Sequence, residues 1–583
     1  MSVEICILIF YFVLVIGIGF IFSKTASEST SSYFRGGGKM LWWMVGATIF
    51  MTQFSAWTFT GAAGKAFTDG LTILGVFVGN VVGFFFSYLY FAAKYRQTRL
   101  DTGSEIVRKR FGPANEQFFT WLTVPLSVVS GGLWLNGLGV FVSLILKINI
   151  NTTIYLVGII VMVVSLMSGA WGVVASDFVQ ALVVSVISIM CAIVALIQVG
   201  GPINLIQDYP YGFFLGKDMN FPIIVIGTFF FFFIKQIQTN NTMFSAYRYL
   251  VAEDSKAARK GALLALILMA FGTLIWFIPP WASAILYPDA GVYYNDLLGN
   301  RAAEGVYLVF AERAMPAGTI GLMIACLFAA TMSSMDSALN RDSGIFVKSF
   351  YKPIINPKAT DKQLLKAGYI TSGIIGILII LTAQFYTTLR HLSLFDLSMQ
   401  VGTIIQAPML VPLFFGLFIR KTPDWAGWVT VLFGALVSVI LSKYLTVSNM
   451  AEWFSVVLTK REISDLTVMW NILAHLVLTG GFFCLTTLFY REPTGERKKE
   501  TEELFTNLDT PVIAEEEHKG NLIYRKEQNF KLGVITLAVG VGVILLALVK
   551  NPPLGRLMFV ICGLLVMLVG FMLYRESKKY KGA

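Results

Sequence analysis

Long apolar runs, each ended by a few charged or turn-forming residues, recur along almost the whole chain. A helix needs roughly 20 apolar residues to cross a bilayer. By that measure fifteen runs stand out, near 2–22, 41–67, 71–93, 116–145, 151–170, 173–199, 221–240, 260–285, 317–345, 366–388, 394–418, 424–445, 466–490, 530–549 and 555–574. Only the connections near 286–316 and 491–529 are long. The runs are too long for barrel strands, and an open strand cannot satisfy its backbone in hydrocarbon, so each run predicts a helix. The expected fold class is an all-α integral membrane protein.

Composition agrees, with 56% apolar and 14% charged residues in 583, where a soluble domain has about 25% charged. With the N-terminus outside, 33 of the 45 Lys and Arg residues fall on one side, and only Lys65 and Lys235 lie within spans. This asymmetry predicts an external N-terminus and a cytoplasmic C-terminus, in a plasma (inner) membrane. It also accounts for the net charge of +11 without a nucleic-acid partner. The first run has no small-residue cleavage pattern after it and reads as a retained anchor.

Cys6, Cys191, Cys326, Cys484 and Cys562 have no paired spacing, and His391, His475 and His518 lie in different segments, so neither a disulfide framework nor a metal cluster is expected. No ATP-binding GxxxxGK[ST] occurs, and nothing marks a catalytic centre or an enzyme. Gly36–Gly38 reads as a flexible connector, and the charged stretch Arg491–Asn521 as a solvated loop.

Polar groups inside apolar runs are costly and therefore informative. In CLFAATMSSMDSALN, Cys326–Asn340, residues Ser333, Ser334, Asp336 and Ser337 share an arc of about 160° at 100° per residue. Hydroxyl and carbonyl oxygens with few carboxylates suit a small hard cation; the other reading is helix–helix hydrogen bonding. Asp177 is a second lone carboxylate, either a cation ligand or a helix N-terminal acid facing the dipole. In Phe50–Gly70, small residues, hydroxyls and glycines interrupt what would otherwise be a plain span, as an unwound mid-membrane segment would; close small-residue packing is the alternative. Lys235 ends a run of five phenylalanines, where it either snorkels or meets a substrate.

Five ordered stretches carry a family resemblance: YFRGGGKMLWWMVGATIFMTQFSAWTFTG, TGSEIVRKRFG, GAWGVVASDFVQ, YRYLVAEDSKAARKG and MPAGTIGLMIACLFAATMSSMDSALNRDSGIF. Over about residues 2–445 the chain resembles the sodium/solute symporters, which include sodium-coupled sugar, proline, pantothenate, sialic acid and monocarboxylate carriers. The resemblance implies a leucine-transporter-like architecture. Its parts would be a leading helix and loop (1–40), a first five-helix repeat (41–199), a second inverted repeat (200–419) and peripheral C-terminal helices with a charged cytoplasmic loop (420–583).

By position, the resemblance implies a sodium site from the carbonyls of Met51, Phe54 and Ala330 and the hydroxyls of Ser333 and Ser334. A second cation site would use Asp177, Asp336 and Ser337, where Asp336 replaces a hydroxyl found in some members and serves either sodium or a proton. Solute contacts would come from Gln53, Trp57, Thr58, Ser130, Lys235, Gln238 and Gln400. Lys235 takes the place of an asparagine in sugar carriers, and a buried cation calls for an anion. The expected function is secondary active symport of sodium with a small polar solute, anionic such as a carboxylate or sugar acid, by alternating access. A proton-coupled or neutral-sugar carrier of the same fold is the nearest alternative. A subunit of a proton-pumping complex is the alternative of another class, and it would need a file of ionisable groups across many helices. A transport-derived sensor would need a soluble signalling domain.

Overall fold

The computed structural model describes residues 3–26, 29–389, 393–514 and 521–580, and among these the chain is helical throughout, with no strands. His391 and His518 lie outside the described residues. The leading helix is α1 (Val3–Ala26); α2 (Trp42–Met51) and α3 (Gly61–Asp69) are the halves of one broken crossing. Then come α4 (Leu74–Phe86, continuing to Gln97), the short amphipathic α5 (Gly103–Phe111), α6 (Pro113–Leu146) and α7 (Ile150–Val199). Gly169, at φ 52°, kinks α7 into two crossings.

The second half follows with α8 (Ile223–Asn240), α9 (Tyr247–Leu250), α10 (Ser255–Ile275), α11 (Ile278–Leu286), α12 (Val306–Ala314), α13 (Thr319–Phe346) and α14 (Asp361–Tyr386). The next pair, α15 (Leu394–Gln400) and α16 (Ala407–Phe415), belongs to one crossing bent by 53°. Outside these lie α17 (Ala426–Lys443), α18 (Lys460–Ala474), α19 (Gly480–Leu485), α20 (Gly495–Asp509), α21 (Asn521–Leu545) and α22 (Pro553–Ser577). Among the described residues, twelve helices pass as membrane spans by length and apolarity alone. Counting the bent pair, the short apolar helix Ile150–Leu166, and α3 and α4 as separate crossings on either side of Gly70 accounts for fifteen.

Burial separates core from periphery. Ile9, Phe10, Val13 and Phe20 of α1 point outward, as does much of α22, whereas α13 is enclosed from Thr319 to Leu339 with few gaps. The hydroxyls of α13 therefore face protein rather than lipid.

Besides the bent α15–α16 pair, two crossings among the described residues unwind at a break. At Thr52–Ser55 the freed groups find partners: the Phe54 carbonyl accepts from Ser334 at 2.8 Å, and the Ala56 amide donates to Thr331 at 3.1 Å. Unwound backbone is tolerated at membrane depth on that condition. The second break, at Asn241–Thr242, contains neither Gly nor Pro. Asn241 holds it through Ser87 (2.7 Å) and the carbonyls of Gly83 (3.1 Å) and Ile237 (2.9 Å), while Thr242 caps the turn that follows by accepting from the Ser245 amide.

Two expectations about connections are corrected. Gly36–Gly38 is an ordered turn, with φ of 59°, 64° and 65°, conformations that side chains strain. Most of Arg491–Asn521 is likewise structured: α20 lies against α5 through Lys109–Glu503 (2.6 Å) and Arg108–Glu500 (3.6 Å), and Arg497 reaches Asp424 (3.0 Å). Alternating acids and bases, unlabelled by hydropathy, find opposite charges on the neighbouring loops. Beyond it, Val512 and Ser255 exchange hydrogen bonds, Arg525 pairs with Glu253 at 3.0 Å, and Gln528 accepts from the Leu41 amide at the start of α2.

Candidate functional site

The break between α2 and α3 lies against the polar end of α13. Ser334 donates to the Phe54 carbonyl, and Ala330, one turn earlier, is fully buried. The Met51 carbonyl accepts the Phe54 amide at 3.0 Å. Next to Ser334, the Ser333 hydroxyl lies beside Asp177 and closes no hydrogen bond. Asp177 accepts from Thr48 of α2 through one oxygen, and its other oxygen is buried without a partner. Unpartnered buried oxygens are expensive, and here they belong to hydroxyls and a carboxylate, the donor set of a small hard cation. The residues present fit sodium.

Asp336 turns away from this group. It accepts from Ser165 of α7, near Tyr11 of α1, which itself accepts from Gln180 at 3.0 Å. Ser337 faces a separate small crevice with Thr48, Tyr247 and Arg341. The three residues expected in a second site thus face different neighbours. Thr48 and Ser165, absent from the sequence reading, are the partners the structure supplies; each is a lone hydroxyl in an apolar run, a signal too common to single out.

Beside the break is a cavity of about 340 Å³. Its walls include Gln53, Trp57, Ser130 and Lys235 from the expected set, with Gln236, Thr239, Arg248, Arg341 and Gln406 added. Thr58 is buried outside it, with no partner for its hydroxyl. Gln238 and Gln400 do not line it. On α8 the cavity face is Lys235, Gln236 and Thr239, and Gln238 lies off that arc. On the bent crossing a π-helical turn at Val401–Ile405 shifts the register, so that Gln406, not Gln400, reaches Ser130 at 3.1 Å.

The charge of this cavity is one-sided. Lys235, Arg248 and Arg341 line it, and no carboxylate does among the described residues. Arg341 is neutralised by Asp342 at 2.8 Å. Arg248 meets the Gln53 amide and the Tyr247 ring, and Lys235 meets the Phe232 ring at 5.7 Å; neither forms an ion pair among the described residues. The contrast is Lys65, the other lysine within a span, which pairs with Asp69 at 2.8 Å.

Arg248 and Arg341 stand at the end nearer the basic loops. The opposite end is roofed. Trp57 stacks between Phe77 (6.1 Å) and Phe395 (5.7 Å) and donates to the Leu394 carbonyl at 3.2 Å. Behind it, the Leu394 amide donates to Glu304 at 2.8 Å, Glu304 pairs with Arg301, and Arg301 donates to Asn136 at 3.0 Å.

The model of the sodium:solute symporter family matches residues 33–440. Among curated relatives, the sodium/sialic acid symporter NanT of Aliivibrio fischeri is 24% identical over 429 residues, covering 70% of this chain and 81% of its own length. The sodium/glucose cotransporter of Vibrio parahaemolyticus is 24% identical over 467 residues, covering 76% of this chain and 83% of its own. Sodium/myo-inositol cotransporter 2 of Sus scrofa is 22% identical, covering 75% and 69%. A solved structure of a Na+-coupled sialic acid symporter, substrate-bound and outward-open, aligns with a TM-score of 0.64 at 19% identity, covering 84% of this chain and 98% of that one. The likeness establishes a shared fold of the leucine-transporter kind.

Proposed function

Because the chain belongs to the sodium:solute symporter family, with sodium as its coupling ion, we propose that it carries a small anionic solute, a carboxylate or sugar acid, into the cell by alternating access. The observation that carries the anionic assignment is the cavity lined by Lys235, Arg248 and Arg341 and by no carboxylate among the described residues. An unpaired cation in a low-dielectric cavity costs several kcal/mol, about 3–5 when a partner is removed; a solute carboxylate at Lys235 offsets that cost. The sialic acid symporters among the relatives are in keeping with an acid, and the glucose and myo-inositol cotransporters represent the neutral alternative.

In this reading Met51, Phe54, Ala330, Ser333 and Ser334 hold the principal sodium, replacing the Ser334–Phe54 hydrogen bond. Asp177, with its unpartnered oxygen, serves a second cation without Asp336 and Ser337, which face Ser165 and a separate crevice. Gln53, Trp57, Ser130 and Lys235 contact the solute, with Gln236 and Gln406 taking the roles expected of Gln238 and Gln400. Sodium orders the break and completes the solute site; the Trp57 roof and the basic end then open in turn. With the basic side cytoplasmic, a potential of 100 mV adds about 2.3 kcal/mol per charge carried inward.

The test has two arms. Melting temperature is measured in sodium, potassium and choline chloride, for the parent and for Ser333→Ala/Ser334→Ala. A ligand at ten times its dissociation constant adds about 1.4 kcal/mol, so sodium alone raises the parent's melting temperature and leaves the variant unchanged. Uptake into proteoliposomes is then compared for acids and neutral sugars with Lys235→Gln. Transport of neutral sugars that survives Lys235→Gln would sink the anionic assignment.

A further inference from the structure

A second, larger cavity, of about 700 Å³, lies on the basic side, away from the transport pathway. It is enclosed by the loop after α16, the end of the crossing that finishes at Phe489, and the start of α20. Four arginines line it: Arg110, Arg420, Arg491 and Arg497. The carboxylates there are already engaged, Asp424 with Arg497 at 3.0 Å and Glu492 with Lys498 at 2.7 Å.

The other guanidiniums are not neutralised in this way. Arg110 is buried and spends its donors on the carbonyls of Gly416 (2.6 Å) and Ile419 (2.7 Å) and on Thr422 (2.7 Å). Arg420 reaches Asp509 only at 4.0 Å and lies over the Phe505 ring, and Arg491 is exposed with no ion pair among the described residues. On the outer side, Leu488 and Phe489 are 78% and 65% exposed where a membrane crossing ends, and Trp425 stands beside them. Exposed apolar groups at that depth meet acyl chains, and Trp is favoured at the interface.

We infer that this cavity holds the headgroup of an anionic phospholipid, its phosphate at Arg420 and Arg491 and its chains along Leu488 and Phe489. Guanidinium presents a planar fork of donors that matches phosphate oxygens. Basic pockets between helices on the cytoplasmic side recognise such headgroups. Arg110 adds charge from beneath, and the Asp424–Arg497 pair fixes one wall.

The experiment places the full-length protein in nanodiscs of phosphatidylcholine with a minor fraction of phosphatidylglycerol, and measures by mass spectrometry which lipid is co-retained. Phosphatidylglycerol is enriched on the parent. Each of Arg420→Gln and Arg491→Gln lowers that enrichment about fivefold, with melting temperature in pure phosphatidylcholine unchanged. Lys358→Gln/Lys362→Gln, two exposed charges elsewhere on the same side, leaves it intact. Equal loss in that control would mean that diffuse surface charge attracts the lipid, and overturns the site. So would retention of phosphatidylglycerol by the double arginine variant. Full displacement by millimolar inorganic phosphate would also overturn the lipid assignment, making this a site for a soluble anion.

Discussion

Glu304 ties together the roof of the transport cavity, and neutralising it shows how firmly that roof is held. Its side chain and that of Arg301 are each 3% exposed, and the pair is bidentate, with contacts of 2.8–3.1 Å. Glu304 also accepts from the Leu394 amide, whose own carbonyl holds Trp57. In Glu304→Gln the guanidinium loses its counter-charge at a cost of about 3–5 kcal/mol, and the remaining amide oxygen recovers about 1 kcal/mol. The net penalty of about 2–4 kcal/mol falls on the state in which Leu394 is docked. At 1.4 kcal/mol per tenfold, the lower bound raises the roof-open to roof-closed ratio about 30-fold. The readout is a cysteine placed at Ser398, which lines the cavity, in a background without the five native cysteines. In right-side-out vesicles its labelling by an impermeant maleimide accelerates about 30-fold in Glu304→Gln. Arg301→Met/Glu304→Leu, which leaves no orphaned charge, loses less thermal stability than Glu304→Gln. An unchanged labelling rate in Glu304→Gln would show that Glu304 does not hold the roof.

Three further outcomes are expected. Asn241→Ala removes the three side-chain hydrogen bonds that hold the second break; it lowers stability by about 1–3 kcal/mol, read from thermal unfolding, and more than alanine at the exposed Gln400. Raising choline chloride from about 0.1 to 1 M shortens the screening length from about 10 to 3 Å, so hydrogen-exchange protection of α20 falls while that of α13 stays constant. At Asp101, burial opposes ionisation, but Arg35 and Lys348, each at 3.0 Å, hold the carboxyl below its usual range. Its folded-state value is depressed, so its contribution is present above the unfolded value of about 4 and is lost as pH falls through the folded value. Asp101→Asn therefore melts below the parent at neutral pH, and the gap closes in acid; a gap independent of pH would refute the ion-pair account.

The crossings were legible because about twenty apolar residues leave little choice of structure, and the polar arc of α13 because oxygens in lipid demand a reason. The second break was not legible. Asn241 and Thr242 are ordinary polar residues at the end of a run, and their effect depends on Ser87 and on the carbonyl of Gly83, about 150 residues away in sequence. Gln406 escaped notice because the π turn at Val401–Ile405 advances the helix face, a shift that a period of 3.6 residues cannot anticipate. Lys65 and Lys235 looked alike as lysines within spans; Asp69, four residues after Lys65 on one helix, was a partner the spacing already offered, whereas the lack of any acid facing Lys235 is seen only in the fold.

The tail contacts of Gln528 have a practical consequence. The family match ends at residue 440, yet Leu41, Glu253 and Ser255 within it are each bound by residues beyond 500. The unit that evolution shares among relatives is thus smaller than the unit that folds here. A protein trimmed to the shared portion loses its ties at the entrances to α2 and α10. A chimera that exchanges tails between relatives will need these partners to travel together.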